Sequence, residues 1–73
     1  MPGLPTLSGK QAGAAFGKLG YALVRIQGSH MIYKAPGRKL LSIPNHEVLD
    51  RGLLRRFIRD AGITPQEFLN LLE

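Results

Sequence analysis

Apolar residues change their spacing along this chain, and the changes mark out its elements. Ala12, Ala15, Phe16 and Leu19 recur at i, i+3, i+4 and i+7, the stripe of an amphipathic α-helix. Ser8 stands before them as a natural N-cap. Gly13 and Gly17 each weaken that helix by about 1 kcal/mol relative to alanine, so packing has to hold it. Gly20 is placed to end it as a C-cap. The spacing then shortens. Tyr21 to Gln27, His30 to Lys34 and Lys39 to Ile43 read as strands, separated by Gly28-Ser29 and Ala35-Pro36-Gly37-Arg38. Pro44 cannot donate to a sheet ladder and suits the end of an edge strand.

Helical spacing returns after a polar loop from Asn45 to Asp50. Gly52 leads into a second helix with Leu53, Leu54, Phe57, Ile58 and Ala61 on one side, and Gly62 stops it. Thr64-Pro65-Gln66-Glu67 is a capping box with proline at the first helical position, and Phe68, Leu69, Leu71 and Leu72 complete a short third helix. The predicted order is α-β-β-β-α-α, an α+β class. A three-stranded antiparallel meander with its helices packed on one face is the economical two-layer arrangement. Residues 1–73 form one domain in this reading, and residues 1–7, with Pro2, Gly3 and Pro5, form an extended lead-in.

A two-residue Gly28-Ser29 loop sets the hairpin register. Gln27 then pairs with His30, Ile26 with Met31, Arg25 with Ile32 and Val24 with Tyr33. Directly paired residues share a face, so Val24, Ile26, Met31 and Tyr33 form the seat for the helices. Arg25, Gln27, His30 and Lys34 lie on the open face, with Leu23 and Ile32 among them.

Charge sharpens the picture. The 73 residues carry ten Lys and Arg against five Asp and Glu, a formal net charge of +5. On so small a domain this excess favours a polyanionic partner, most often nucleic acid. Without cysteine, disulfides and thiolate metal sites are excluded. The first residues do not pattern as a signal peptide, and no apolar run approaches the roughly 20 residues that span a bilayer. A soluble, cytoplasmic domain is therefore expected.

His30 is the natural candidate for chemistry, because an imidazole both takes and gives a proton near neutral pH. Arg25 and Lys34 are the expected nearest phosphate contacts, arginine being able to hold two oxygens at once. Ser29 either orients the histidine or a phosphate, or simply supplies good turn chemistry. Arg38 and Lys39 extend the basic set at the second turn. Arg51, Arg55 and Arg59 recur at i, i+4 on the second helix, either as a solvated face or as a surface that tracks phosphates.

His46 is the second titratable candidate. It follows the far end of the third strand, which this reading brings to the His30 turn only if the strands are short. A catalytic role, an RNA or partner contact and an ordinary loop histidine all remain open for it. The two histidines are sixteen positions apart and no carboxylates cluster with His30, so no metal or other cofactor is expected.

Several segments together resemble the HicA (YcfA-like) family of toxins from toxin–antitoxin systems. They are Leu4-Pro5, Leu7-Ser8-Gly9-Lys10, Gly20-Tyr21, Leu23-Val24-Arg25, Gly28-Ser29-His30, Tyr33, Ile43-Pro44 to His46, and Gly52-Leu53 to Ala61-Gly62. The resemblance implies a double-stranded-RNA-binding-like fold and an mRNA interferase, a metal-independent endoribonuclease that cuts mRNA and is neutralised by a HicB-type antitoxin. It puts the catalytic histidine on His30. Expected RNA contacts are Arg25, Ser29, Lys34, Arg38, Lys39, His46, Arg51 and Arg55. The alternatives are a non-catalytic RNA-binding module using the same basic face, and a small DNA-binding or adaptor domain.

Overall fold

Ser8 begins the first helix as its sequence suggests. Its side chain accepts from the Gln11 backbone N–H at 3.0 Å, and the Gln11 side chain accepts from the Ser8 backbone N–H at 2.9 Å, a reciprocal capping box. The computed structural model describes residues 3–73, so Met1 and Pro2 of the expected lead-in lie outside the described residues. Its elements are α1 (Gly9–Gly17), β1 (Ala22–Gln27), β2 (His30–Lys34), β3 (Leu41–Pro44), α2 (Arg51–Ala61) and α3 (Pro65–Leu71). The chain thus adopts the expected α+β fold, with a three-stranded antiparallel sheet in the order β1-β2-β3.

The helix ends follow from backbone chemistry. The last turn of α1 tightens into i→i+3 bonds, and Gly20, at φ 109°, takes the left-handed turn that lets the Tyr21 N–H reach the Phe16 carbonyl. The regular helix therefore stops at Gly17, before the expected Gly20 boundary. Gly62, at φ 81°, closes α2 in the same manner. Asp50, read from sequence as loop, is the N-cap of α2 and accepts from the Leu53 N–H at 3.0 Å. Thr64 and Glu67 cap α3 as a box.

Phe16 and Phe68 are fully buried and meet with ring centroids 5.1 Å apart, joining α1 to α3. Tyr21 meets Phe16 edge-on at 5.8 Å, and its hydroxyl donates to the Lys39 carbonyl at 2.7 Å. Burial raises the pKa of that hydroxyl above its ordinary value, with nearby Arg38 opposing the shift. Met31, Leu41 and Ile43 supply the sheet's share of the core, facing Leu54, Phe57 and Ile58 of α2 across the cluster. Leu4 and Leu49 are buried too, and the Leu49 N–H donates to the Leu7 carbonyl at 2.6 Å. The lead-in and the polar loop are therefore tied together and both contribute to the core.

The hairpin register holds near the turn and fails beyond it. Gln27 pairs with His30, Ile26 with Met31 and Arg25 with Ile32, as expected; the register then shifts between Leu23 and Arg25. Val24 is the extra residue of a β-bulge, so Leu23 pairs with Tyr33 and Ala22 with Lys34. Leu23 consequently moves to the helix side, and Val24 does not pair with Tyr33. The expected helix seat is also narrower than its apolar residues suggested. Met31 is buried there, but every residue of β1 is exposed, including Val24 at 51% and Ile26 at 63%. The edge strand lies outside the helical cover.

Gly13 shows why α1 tolerates glycine. A Cβ at this position would overlap the Tyr33 hydroxyl and lie 2.6 Å from its Cζ. Gly13→Ala is expected to destabilise the protein by about 1–2 kcal/mol, the range of modest overpacking. In urea denaturation the double variant with Tyr33→Leu should cost less than the sum of the singles, since the larger ring is the obstacle. Strict additivity would remove the packing explanation.

Candidate functional site

The β1–β2 turn is built by Gly28, whose φ of 60° fits the first position of a two-residue type II′ loop. Ser29 follows it, and His30 opens β2 directly afterwards. Strand alternation then puts His30, Ile32 and Lys34 on the face away from the helices. Arg25 is the direct partner of Ile32 and lies on the diagonal from His30, roughly 7–8 Å away between Cα atoms. Ile32 is buried on this face between its cross-strand partners Arg25 and Ser42. His30, Arg25 and Lys34 are exposed.

Lys34 stands four residues along β2 from His30, about 13 Å by strand rise. It belongs to the same face, with Ile32, the direct partner of Arg25, midway between it and His30. Arg38 and Lys39 lie farther off, in the β2–β3 turn at the opposite end of the sheet. There the Arg38 guanidinium donates to the Ala61 carbonyl at 2.6 Å, satisfying the C-terminal end of α2. The side chain of Arg38 is engaged by the fold, and Lys39 gives its carbonyl to Tyr21. On α2, Arg51 donates to the Thr6 hydroxyl at 3.2 Å and Arg55 is exposed. Arg56 pairs with Asp60 at 4.0 Å, a surface pair of small energetic weight.

His46 joins the His30 end of the sheet. A meander returns the end of β3 to the β1–β2 turn whatever the strand length, because each strand reverses the last; the expectation that the strands had to be short is corrected on that ground. Pro44 is the cross-strand partner of His30. The Asn45 N–H donates to the Ser29 carbonyl at 2.7 Å, and the His46 carbonyl accepts from the Gly9 N–H at 2.9 Å. Turn, strand end and the start of α1 thus meet in one hydrogen-bonded frame.

That frame adds a cation which the sequence reading left outside the site. Lys10 follows Gly9 in the first turn of α1 and is exposed. Its only sequence signal was membership of the Leu7-Ser8-Gly9-Lys10 segment, and helical periodicity could not show that this turn docks on the end of β3. Among the described residues no group of three His, Asp or Glu side chains gathers as a metal site, and no helix is long and apolar enough to cross a membrane.

The assembled surface offers an imidazole and a guanidinium on one exposed strand pair, with a second imidazole on the adjoining loop. It can donate, accept and neutralise charge along an extended anion. A comparison with curated proteins finds no match. Residues 9–63 of the 73 match the family described as the HicA toxin of bacterial toxin–antitoxin systems, from the start of α1 to just past the end of α2. The chain belongs to the HicA toxin family.

Proposed function

We propose that this toxin is a metal-independent endoribonuclease of the mRNA interferase kind, acting in the cytoplasm and neutralised by a HicB-type antitoxin. The observation that carries the reading is the exposed His30 beside a tight turn, with Arg25 on the diagonal of the same open face. RNA contains its own nucleophile. The neighbouring 2′-hydroxyl attacks phosphorus once its proton is accepted, and the protein has to move protons and stabilise the phosphoryl oxygens. No metal-bound water is required by that route.

In this reading His30 takes part directly in proton transfer, and Arg25 holds the phosphoryl oxygens of the same linkage. Lys34 holds the strand farther along the face. Ser29 and His46 contact RNA at the turn. Arg51 and Arg55 form a second, outlying basic surface on α2, and Lys39 a third at the opposite end of the sheet. The formal net charge of +5 favours both RNA and an acidic antitoxin surface over the His30 face.

The test is incubation of the purified chain in EDTA with a mixed-sequence RNA and with its all-deoxy counterpart. The RNA is expected to be cut to fragments bearing 2′,3′-cyclic phosphate and 5′-hydroxyl ends, and the deoxy strand to stay intact. Retained RNA with no cutting would replace the enzyme by a non-catalytic RNA-binding module. Cutting of both strands would remove the 2′-hydroxyl mechanism.

A further inference from the structure

One-step cleavage of RNA by its own 2′-hydroxyl requires two proton transfers at separate places. The attacking oxygen loses a proton as the O2′–P bond forms. The leaving 5′-oxygen gains one as the P–O5′ bond breaks. Both are eased by side chains that exchange protons near neutral pH. The sequence holds two histidines and no cysteine, and histidine is the side chain whose ordinary pKa lies in that range. One of them, His30, already carries the proposed site.

We propose that His46 is the second catalytic residue, the proton donor to the leaving 5′-oxygen, with His30 the acceptor from the 2′-hydroxyl. This inference rests on the ribonuclease reading above. Its geometric basis is the frame at the end of the sheet. His30 is the cross-strand partner of Pro44, and His46 lies two residues beyond Pro44. A paired separation of about 5 Å plus two residues of chain limits the two Cα atoms to at most ~13 Å. Two imidazoles reaching into such a gap can stand on either side of one phosphodiester.

His46 is also held, although it lies in a loop. The residue before it donates its N–H to Ser29, in the turn that carries His30, and its own carbonyl accepts from Gly9 at the start of α1. One of these bonds ties its backbone to the His30 turn and the other ties it to the start of α1. Both imidazoles are exposed, as groups that meet a polymeric substrate must be. The charges around them differ. Arg25 lies diagonal to His30 on its own face, whereas Glu47 directly follows His46 and Lys10 stands in the helix turn that anchors the loop.

The balance of the step is complete. Neutral His30 takes the 2′-hydroxyl proton and becomes an imidazolium. The His46 imidazolium gives its proton to O5′ and becomes neutral. The products are a 2′,3′-cyclic phosphate and a 5′-hydroxyl, and proton exchange with water restores both side chains. Arg25 carries the charge on the non-bridging oxygens throughout.

The deciding experiment uses a bridging sulfur. A cut site is first mapped on a mixed-sequence RNA with the wild-type chain. An oligonucleotide spanning that linkage is then made with either oxygen or sulfur at the 5′ bridging position, since a thiolate leaves without being protonated. His46→Ala and His46→Gln are expected to cut the oxygen substrate at least ~10²-fold more slowly than wild type. Both should cut the sulfur substrate within a few-fold of wild type, while His30→Ala stays slow on both. Circular dichroism and RNA-binding measurements establish that the variants fold and bind.

Equal slowing of the His46 variants on both substrates would overturn the proposal, as would wild-type rates on the oxygen substrate. Rescue of His30→Ala by sulfur would reverse the roles and overturn the assignment. Absence of cutting by the wild-type chain itself would instead remove the ribonuclease reading, a failure separate from these.

Discussion

His30→Ala is expected to lower the rate of RNA cleavage by about 10²- to 10⁴-fold, the usual contribution of one positioned acid or base, while leaving the protein folded. In free-energy terms this is about 2.7–5.4 kcal/mol of lost transition-state stabilisation. The fold should survive because the side chain is exposed and lies outside the core cluster. His30 is held in the sheet through its backbone, between Gln27 on β1 and Pro44 on β3, and alanine keeps those pairings. Binding should survive as well, since Arg25, Lys34 and the α2 arginines supply the charge that attracts phosphate.

Three measurements therefore separate the effects: kcat/KM for cleavage, RNA binding by fluorescence anisotropy, and the thermal midpoint. A collapse in the first with the other two unchanged is the signature expected of a catalytic side chain. Parallel losses in binding and cleavage would make His30 a phosphate contact and leave the proton transfers to another group.

The helices were legible because each carries its own punctuation. Ser8 with Gln11 and Thr64 with Glu67 form reciprocal boxes, and Gly62 stops α2 in a left-handed turn. These are local signals that neighbouring residues complete among themselves. The first three hairpin rungs were legible for the same reason, as Gly28-Ser29 fixes them from the turn outward. Position and identity of the next rung were not. The bulge at Val24 falls in an edge strand whose residues are all exposed, and nothing within Leu23-Val24-Arg25 announces it.

Non-local placement was the harder part. Asn45 to Asp50 reads as polar loop, yet Leu49 is buried and its N–H is bonded to Leu7. Arg38 sits in a turn, and nothing in the sequence announces that its guanidinium donates to the Ala61 carbonyl at the end of α2. Both assignments depend on what stands opposite in space. The place of His30 beside the turn was readable from turn chemistry, the approach of His46 follows from the return of β3, and that of Lys10 required the docking of α1 on the strand end. The basic face itself follows from alternation. One side of β2 sends Met31 and Tyr33 toward the helices, so the other has to display His30 and Lys34.

The docking of α1 depends on one missing methyl group. A Cβ at Gly9 would collide with the Pro44 carbonyl oxygen and lie 3.1 Å from the Pro44 carbonyl carbon and 3.3 Å from the Asn45 Cα. These are backbone atoms of a paired strand end, so no side-chain rotation relieves the overlap. Gly9→Ala is expected to push α1 away, weaken the 2.9 Å bond from Gly9 to His46, and cost about 2–3 kcal/mol in all. For a domain of this size that lowers the thermal midpoint by roughly 10–20 °C. Gly17→Ala is the control within the same helix. Nothing lies within 4 Å of a Cβ there, so alanine should be neutral or stabilise by up to about 1 kcal/mol. Thermal melts of the two variants separate the explanations directly. Equal small changes would mean that α1 can shift freely, and the hydrogen-bonded frame beside His30 would then lose its rigid support. Opposite changes, with Gly9→Ala also cutting RNA more slowly at a temperature where it remains folded, would tie the position of α1 to the chemistry at the turn.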